Sequence, residues 1–165
     1  MFNKVDTPME LFTQKLGAAL TMEHTVLKML AELEEEARHE DLKRLFRHHA
    51  EETNEQIGNL AQAFAALGHE PDKKPCPAIK GLRVESKANI ELTKGDFVDD
   101  VILAAAAETE HHEIAVYEEL ITYAEAMGRQ DVAALLRENL EQEQHMLDEV
   151  RRAAARIAEE TLQPA

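Results

Sequence analysis

The sequence predicts an all-α fold, a bundle of four long helices whose middle connection is a long crossover carrying a short extra helix. Three observations predict it. Six glycines and five prolines among 165 residues leave long stretches rich in Ala, Leu and Glu, all good helix formers. Apolar residues recur at three- and four-residue steps in four separate stretches. The outer two connections are short, whereas the middle one is long and punctuated by proline.

The first helix is expected over about 7–37. Thr7-Pro8-Met9-Glu10 reads as a capping box with proline at the first helical position. Met9, Phe12, Leu16, Leu20, Glu23, Leu27 and Leu30 form its stripe, and Glu23 stands where an apolar residue belongs. Asp41 reads as the cap of a second helix over about 41–67, which Gly68 stops. Its stripe is Leu42, Leu45, His49, Glu52, Gln56, Leu60, Ala63 and Leu67, with Glu51 and Glu55 solvated. The loop from Gly68 to Gly81 contains three prolines, and Leu82 to Lys94 fits a short amphipathic helix. Asp96 reads as the cap of the third long helix, over about 96–127, with a stripe of Leu103, Ala107, Glu110, Ile114, Tyr117 and Ile121. The fourth, over about 130–160, carries Val132, Leu135, Leu136, Asn139, Glu143, Met146, Val150 and Ile157. The tail Thr161-Leu-Gln-Pro-Ala is expected to fray. Short links make antiparallel neighbours, and one long crossover is the ferritin-like arrangement, in one domain over 1–165. Glu23-His24 and Glu110-His111 at comparable depths hint at two fused helical hairpins.

Composition narrows the function classes. A net charge of −15 argues against nucleic acid or an anionic membrane as a partner, since both call for a basic patch. No stretch approaches the roughly 20 apolar residues of a membrane span. The start Met1-Phe-Asn-Lys-Val-Asp reads as no signal peptide, and the single cysteine, Cys76, fits a reducing cytoplasm.

The chemistry lies in the stripe carboxylates. Each long helix places a glutamate on its inward face: Glu23, Glu52, Glu110 and Glu143, with Glu113 and His49 within a turn of two of them. Carboxylates gathered in a core repel one another and lose hydration, each at a cost of several kcal/mol. Two divalent cations offset about four such charges. A donor set of oxygens with one imidazole suits iron or manganese better than zinc. The expected centre is therefore dinuclear, with metal ligands Glu23, His49, Glu52, Glu110, Glu113 and Glu143. Glu52 and one of Glu110 or Glu143 are read as bridging, the others as terminal. Tyr117, one turn beyond Glu113, is a core aromatic whose hydroxyl meets a carboxylate, or a group that bonds a ligand or relays an electron. His112 and His145 read as solvated, His24 and His111 as peripheral or surface residues, and Cys76 as packing.

These residues also carry a family resemblance. Phe46-x-x-His49-x-Glu51-Glu52-Thr53-x-x-Gln56-Ile57, Cys76-Pro-Ala-Ile-Lys-Gly81-Leu82 and Glu110-His111-x-Glu113-Ile114-Ala115-x-Tyr117 resemble the YciF/YciE family of bacterial ferritin-like stress proteins. The Leu135-Leu136 and Leu140-Glu141-x-Glu143 segment is similar too, so the likeness runs from about Leu11 to Ala153. The resemblance implies a cytoplasmic homodimer with a dinuclear metal centre and a role in stress responses. Glu110-x-x-Glu113 also resembles the third helix of rubrerythrins. The chain departs from that wider group in having His49-x-x-Glu52 in reversed order, Glu143-x-x-Met146 in place of Glu-x-x-His, and no rubredoxin-like cysteine pairs. Leu147 stands where YciF-like chains often have an acidic residue, which weakens the second metal position. Peroxide or dioxygen is the expected substrate. The rival readings are iron sequestration in a closed shell and a metal-free bundle used as an interaction scaffold.

Overall fold

The computed structural model describes residues 4–162. Five α-helices follow one another: α1 (Pro8–Glu36), α2 (Glu40–Ala66), α3 (Pro77–Leu92), α4 (Val98–Ala126) and α5 (Gln130–Thr161). There is no strand among the described residues. The expected absence of a leader concerns residues 1–3 in part, and the fraying tail concerns residues 163–165; both lie outside the described residues. Thr161 itself closes α5, its hydroxyl donating to Asp100 Oδ2 over 2.8 Å.

The start of α1 forms as its sequence dictates. Glu10 N–H donates to Thr7 Oγ1 (3.1 Å), and Thr7 N–H donates to Glu10 Oε2 (3.0 Å), which satisfies two of the free donors of a helix terminus. Three-residue turns join α1 to α2 and α4 to α5, and the two hairpins pack with α2 on α5 and α1 on α4. The shared core holds Phe12, Leu16, Met22, Phe46, Leu60, Phe64, Ile102, Leu103, Leu120, Leu136, Val150 and Ile157, all buried. This is the ferritin-like four-helix bundle, with α3 lying across α1 and α4.

Several boundaries differ from expectation for identifiable reasons. Asp41 is not the cap of α2. The helix starts at Glu40, and the buried Asp99 of α4 accepts from the backbone N–H groups of Arg38 (2.8 Å) and His39 (3.0 Å). Asp99 thus fixes the two residues that lead into α2, and a contact from the other hairpin leaves no local signal. Asp96 is not the cap of α4 either; it sits in a single 3₁₀ turn, Gly95–Phe97, and pairs with Arg38. The crossover helix starts at Pro77 and not at Leu82, because proline suits a first helical position and Ile79, fully buried, anchors that turn. Gly81, read as loop, lies inside it.

The crossover is fastened to α1. Lys74 N–H donates to Gly17 O (3.0 Å), and Arg83 grips Glu32 with two nitrogens (3.1 and 2.5 Å). A Cβ on Gly17 would stand 2.2 Å from Asp72 O and 2.7 Å from Lys74 Cγ. Gly17→Ala is therefore expected to lift the crossover off α1 at a loss of about 1–3 kcal/mol, read as a lower urea midpoint. An unchanged midpoint would show that this approach does not matter.

Candidate metal centre

The inward face of α2 is set by Leu42, Phe46, His49, Thr53, Gln56, Leu60, Ala63 and Phe64, all buried. Phe46 and Phe64 are bulkier than Leu45 and Leu67, so the helix turns their side inward. That rotation brings Thr53 into the core and carries Glu52 toward solvent. A similar rotation in α4 buries Ala106, Glu113 and Leu120 beside Leu103, Glu110 and Tyr117, and leaves Ile114 only half-buried. The stripe of α5 is as expected except at Leu135, which is half-buried; Asn139, Glu143 and Met146 are all buried.

Four of the six expected ligands meet. His49, Glu110, Glu113 and Glu143 each bring one ligand atom within 4.8 Å of every other, and all four are buried. His49 Nε2 lies 3.3 Å from Glu110 Oε1 and 3.4 Å from Glu143 Oε2 without the alignment of a hydrogen bond. Both oxygens of Glu113, both of Glu143 and one of Glu110 have no hydrogen-bonding partner. Such groups are costly to bury.

Glu23 is fully buried in the adjoining layer. It accepts the Tyr117 hydroxyl, while its Oε2 has no partner. Asn139 Nδ2 reaches Tyr117 Oη (3.1 Å) and the Gln56 main-chain oxygen (3.2 Å), and Asn139 Oδ1 accepts from Asn59 (2.8 Å). Tyr117 is thus the carboxylate-bonded core aromatic of the first reading.

Glu52 lies outside the cluster. Its side chain is 17% exposed, and its Oε2 sits 3.1 Å from His49 Nδ1. The hydrogen bond from His49 holds its carboxyl below the usual range. An ionised carboxylate only accepts, so Nδ1 donates to Glu52, and Nε2 faces the cluster, where its lone pair becomes available to a cation once its own proton leaves.

Electrostatics follow from burial. Desolvation pushes Glu113 and Glu143 well above the usual carboxylate range, and the neighbouring carboxylates push Glu113 further. Desolvation also raises Glu23, to about 7, against the lowering by its bond from Tyr117 and by the nearness of Glu113. Burial alone would lower His49, but the Glu110 charge and the contacts with Glu110, Glu143 and Glu52 hold it well above its ordinary value. Desolvation raises the Tyr117 hydroxyl, so it stays a donor. The cluster draws in positive charge, from protons or from a cation.

The donor set fits a cation with hard-ligand preference: three carboxylates and one imidazole, with no thiolate near. Other histidines lie elsewhere. His24 bonds Leu20 O, His111 is exposed beside Arg151, and His145 is exposed. His112 is not solvated as expected. It is half-buried, with Nε2 4.0 Å from Cys76 Sγ, a contact made by the crossover that no local pattern announces.

With this geometry in place, a family model described as a domain of unknown function, DUF892, matches residues 7–163. The chain belongs to that family. The chain is also similar to Protein YciF of Escherichia coli K12, 35% identical over 136 residues, 81% of this chain and 82% of that protein. The YciF/YciE resemblance is thereby borne out. The crystal structure of the E. coli stress protein YciF superposes with a TM-score of 0.89 at 31% identity, covering 94% of this chain and 99% of that one. YcfI from Rhodopseudomonas palustris gives 0.89 at 33% identity, over 92% and 98% of the two chains. A structure of ferritin-like, diiron-carboxylate proteins from Bacillus anthracis gives 0.70 at 16% identity, over 91% and 99%, and supports the fold alone. No described helix of this DUF892 chain is long and apolar enough to cross a membrane.

Proposed function

We propose that this chain is a stress protein with a dinuclear iron or manganese centre that reacts with peroxide or dioxygen. The observation that carries the reading is the buried cluster of His49, Glu110, Glu113 and Glu143 with its unpartnered carboxylate oxygens. With Glu23 the core holds four carboxylates, and two divalent cations match their charge. His49, Glu110, Glu113 and Glu143 would hold one cation; Glu23, sharing Glu113 and Glu143, would hold the other. The likeness to the E. coli stress protein supports the stress role.

A bound metal pair supplies electron transfer and polarisation of an oxygen substrate. The chain supplies the rest. Glu52 orients His49 through Nδ1, and Tyr117 orients Glu23 while retaining its own proton. Glu113 and Glu143 exchange protons for cation charge as the site loads. Buried Met22, Phe46, Leu103 and Met146 keep bulk water out. The protein is proposed to work in the cytoplasm as a homodimer, without nucleic acid or membrane.

Elemental analysis of protein grown with iron or manganese is expected to give about two metal ions per chain. A well-folded protein holding only traces would sink the reading. The contacts of His49 with Glu52, Glu110 and Glu143 favour a second reading, a proton-loaded scaffold without metal, and that result would favour it.

A further inference from the structure

Gln56 is fully buried, yet neither Oε1 nor Nε2 of its amide meets a hydrogen-bonding partner. Among the described residues it is the one uncharged side chain left so; Gln142 lacks a partner only at Oε1 and donates from Nε2 to Glu55. Polar groups beside it are matched. Asn139 uses both ends of its amide, and Thr53 donates to His49 O over 2.9 Å. Gln56 stands on the inward face of α2, two turns beyond His49, and its main-chain oxygen is one side chain away from the Tyr117 hydroxyl. Side chains on a helix lean toward its N-terminus, which for Gln56 is the side on which His49 stands.

A neutral amide adds no charge to offset a cation. What it offers is a donor and an acceptor side by side. Hydrogen peroxide carries an O–H donor and an acceptor lone pair on adjacent oxygens and can engage both. Dioxygen has no hydrogen to donate and would leave the amide oxygen without a donor. A buried polar group left unpaired by the wrong ligand is a strong means of discrimination.

We infer that Gln56 is a specificity-determining residue that hydrogen-bonds the substrate and makes the centre select hydrogen peroxide over dioxygen. This inference rests on the metal-centre reading above and resolves the substrate that reading leaves open.

Gln56→Met keeps the volume and removes the amide, and Gln56→Leu serves as a second variant should the first fold poorly. Each protein is loaded with Fe(II), its metal per chain is measured, and its reactions with hydrogen peroxide and with dioxygen are followed separately. The expected result is equal metal content and a peroxide-to-dioxygen rate ratio lower by about ten- to a hundredfold, mostly through KM for peroxide. Metal-free Gln56→Met is also expected to melt about 2–4 °C higher, since two unpartnered polar groups leave the core. An unchanged ratio at equal loading overturns the inference alone. A variant short of metal makes Gln56 a ligand and overturns it too. Wild-type protein that takes up no metal overturns the metal-centre reading and this inference with it.

Discussion

Replacing Glu113 by leucine is expected to reverse the effect of metal on stability. The variant should hold one metal ion per chain or fewer, yet unfold at a higher temperature than the wild type when both are stripped of metal. Glu113 is fully buried, both of its oxygens lack partners, and desolvation with the charges of Glu143, Glu23 and Glu110 raises its pKa. Replacing such a group with an apolar side chain of similar size commonly gains about 1–4 kcal/mol, here roughly 2–16 °C in Tm. As the proposed shared ligand of two cations, Glu113 would have the opposite value once they bind, because every cation that prefers the native state stabilises it by mass action. Differential scanning calorimetry with and without Mn(II) reads both signs. A metal-free Glu113→Leu protein that melts lower than metal-free wild type, with full metal content, would show Glu113 to be a structural residue.

The same two facts, burial and missing partners, separate what the sequence could disclose from what it could not. The bundle was legible because periodicity, the Thr7 capping box and the proline-rich crossover each point to it. Glu23, Glu110, Glu143 and His49 were legible because they interrupt apolar stripes. Glu113, read at the edge of its stripe, turned out to be central. Glu52, read as a bridging ligand, turned out to face solvent and to hold His49. Both shifts come from a rotation of the helix about its axis, decided by the sizes of Phe46, Phe64 and Leu120 against neighbouring helices. That is a property of packing, and a single helix does not carry it. The hold of Asp99 on the residues leading into α2 and the meeting of Cys76 with His112 are contacts between distant segments, invisible for the same reason.

Titration is expected to discriminate between the metal-free and metal-loaded protein as sharply as mutation. The Glu23 carboxyl stands at about 7 in the folded protein against an ordinary 4.5. Below pH 4.5 it is protonated in both folded and unfolded chains, and its contribution to stability is fully present. Between 4.5 and about 7 the folded chain alone keeps the proton, so stability falls as pH rises. Above about 7 both are ionised, and the loss from this residue reaches about 3 kcal/mol. Glu113 and Glu143 are raised as well and extend the loss upward in pH. His39, raised chiefly by its bond to Asp99, adds a loss of the same sign as pH climbs through its folded value. Glu52 and Asp99, whose pKa values are lowered, act in the other direction only in acid, where their stabilisation disappears as pH falls. Metal-stripped protein should therefore lose about 3 kcal/mol or more between pH 5 and pH 8 in urea unfolding. Protein saturated with Mn(II) should instead gain stability across that range, since its ligands bind metal only after releasing protons. Parallel curves for the two forms would mean that cation and protons do not compete for one set of carboxylates.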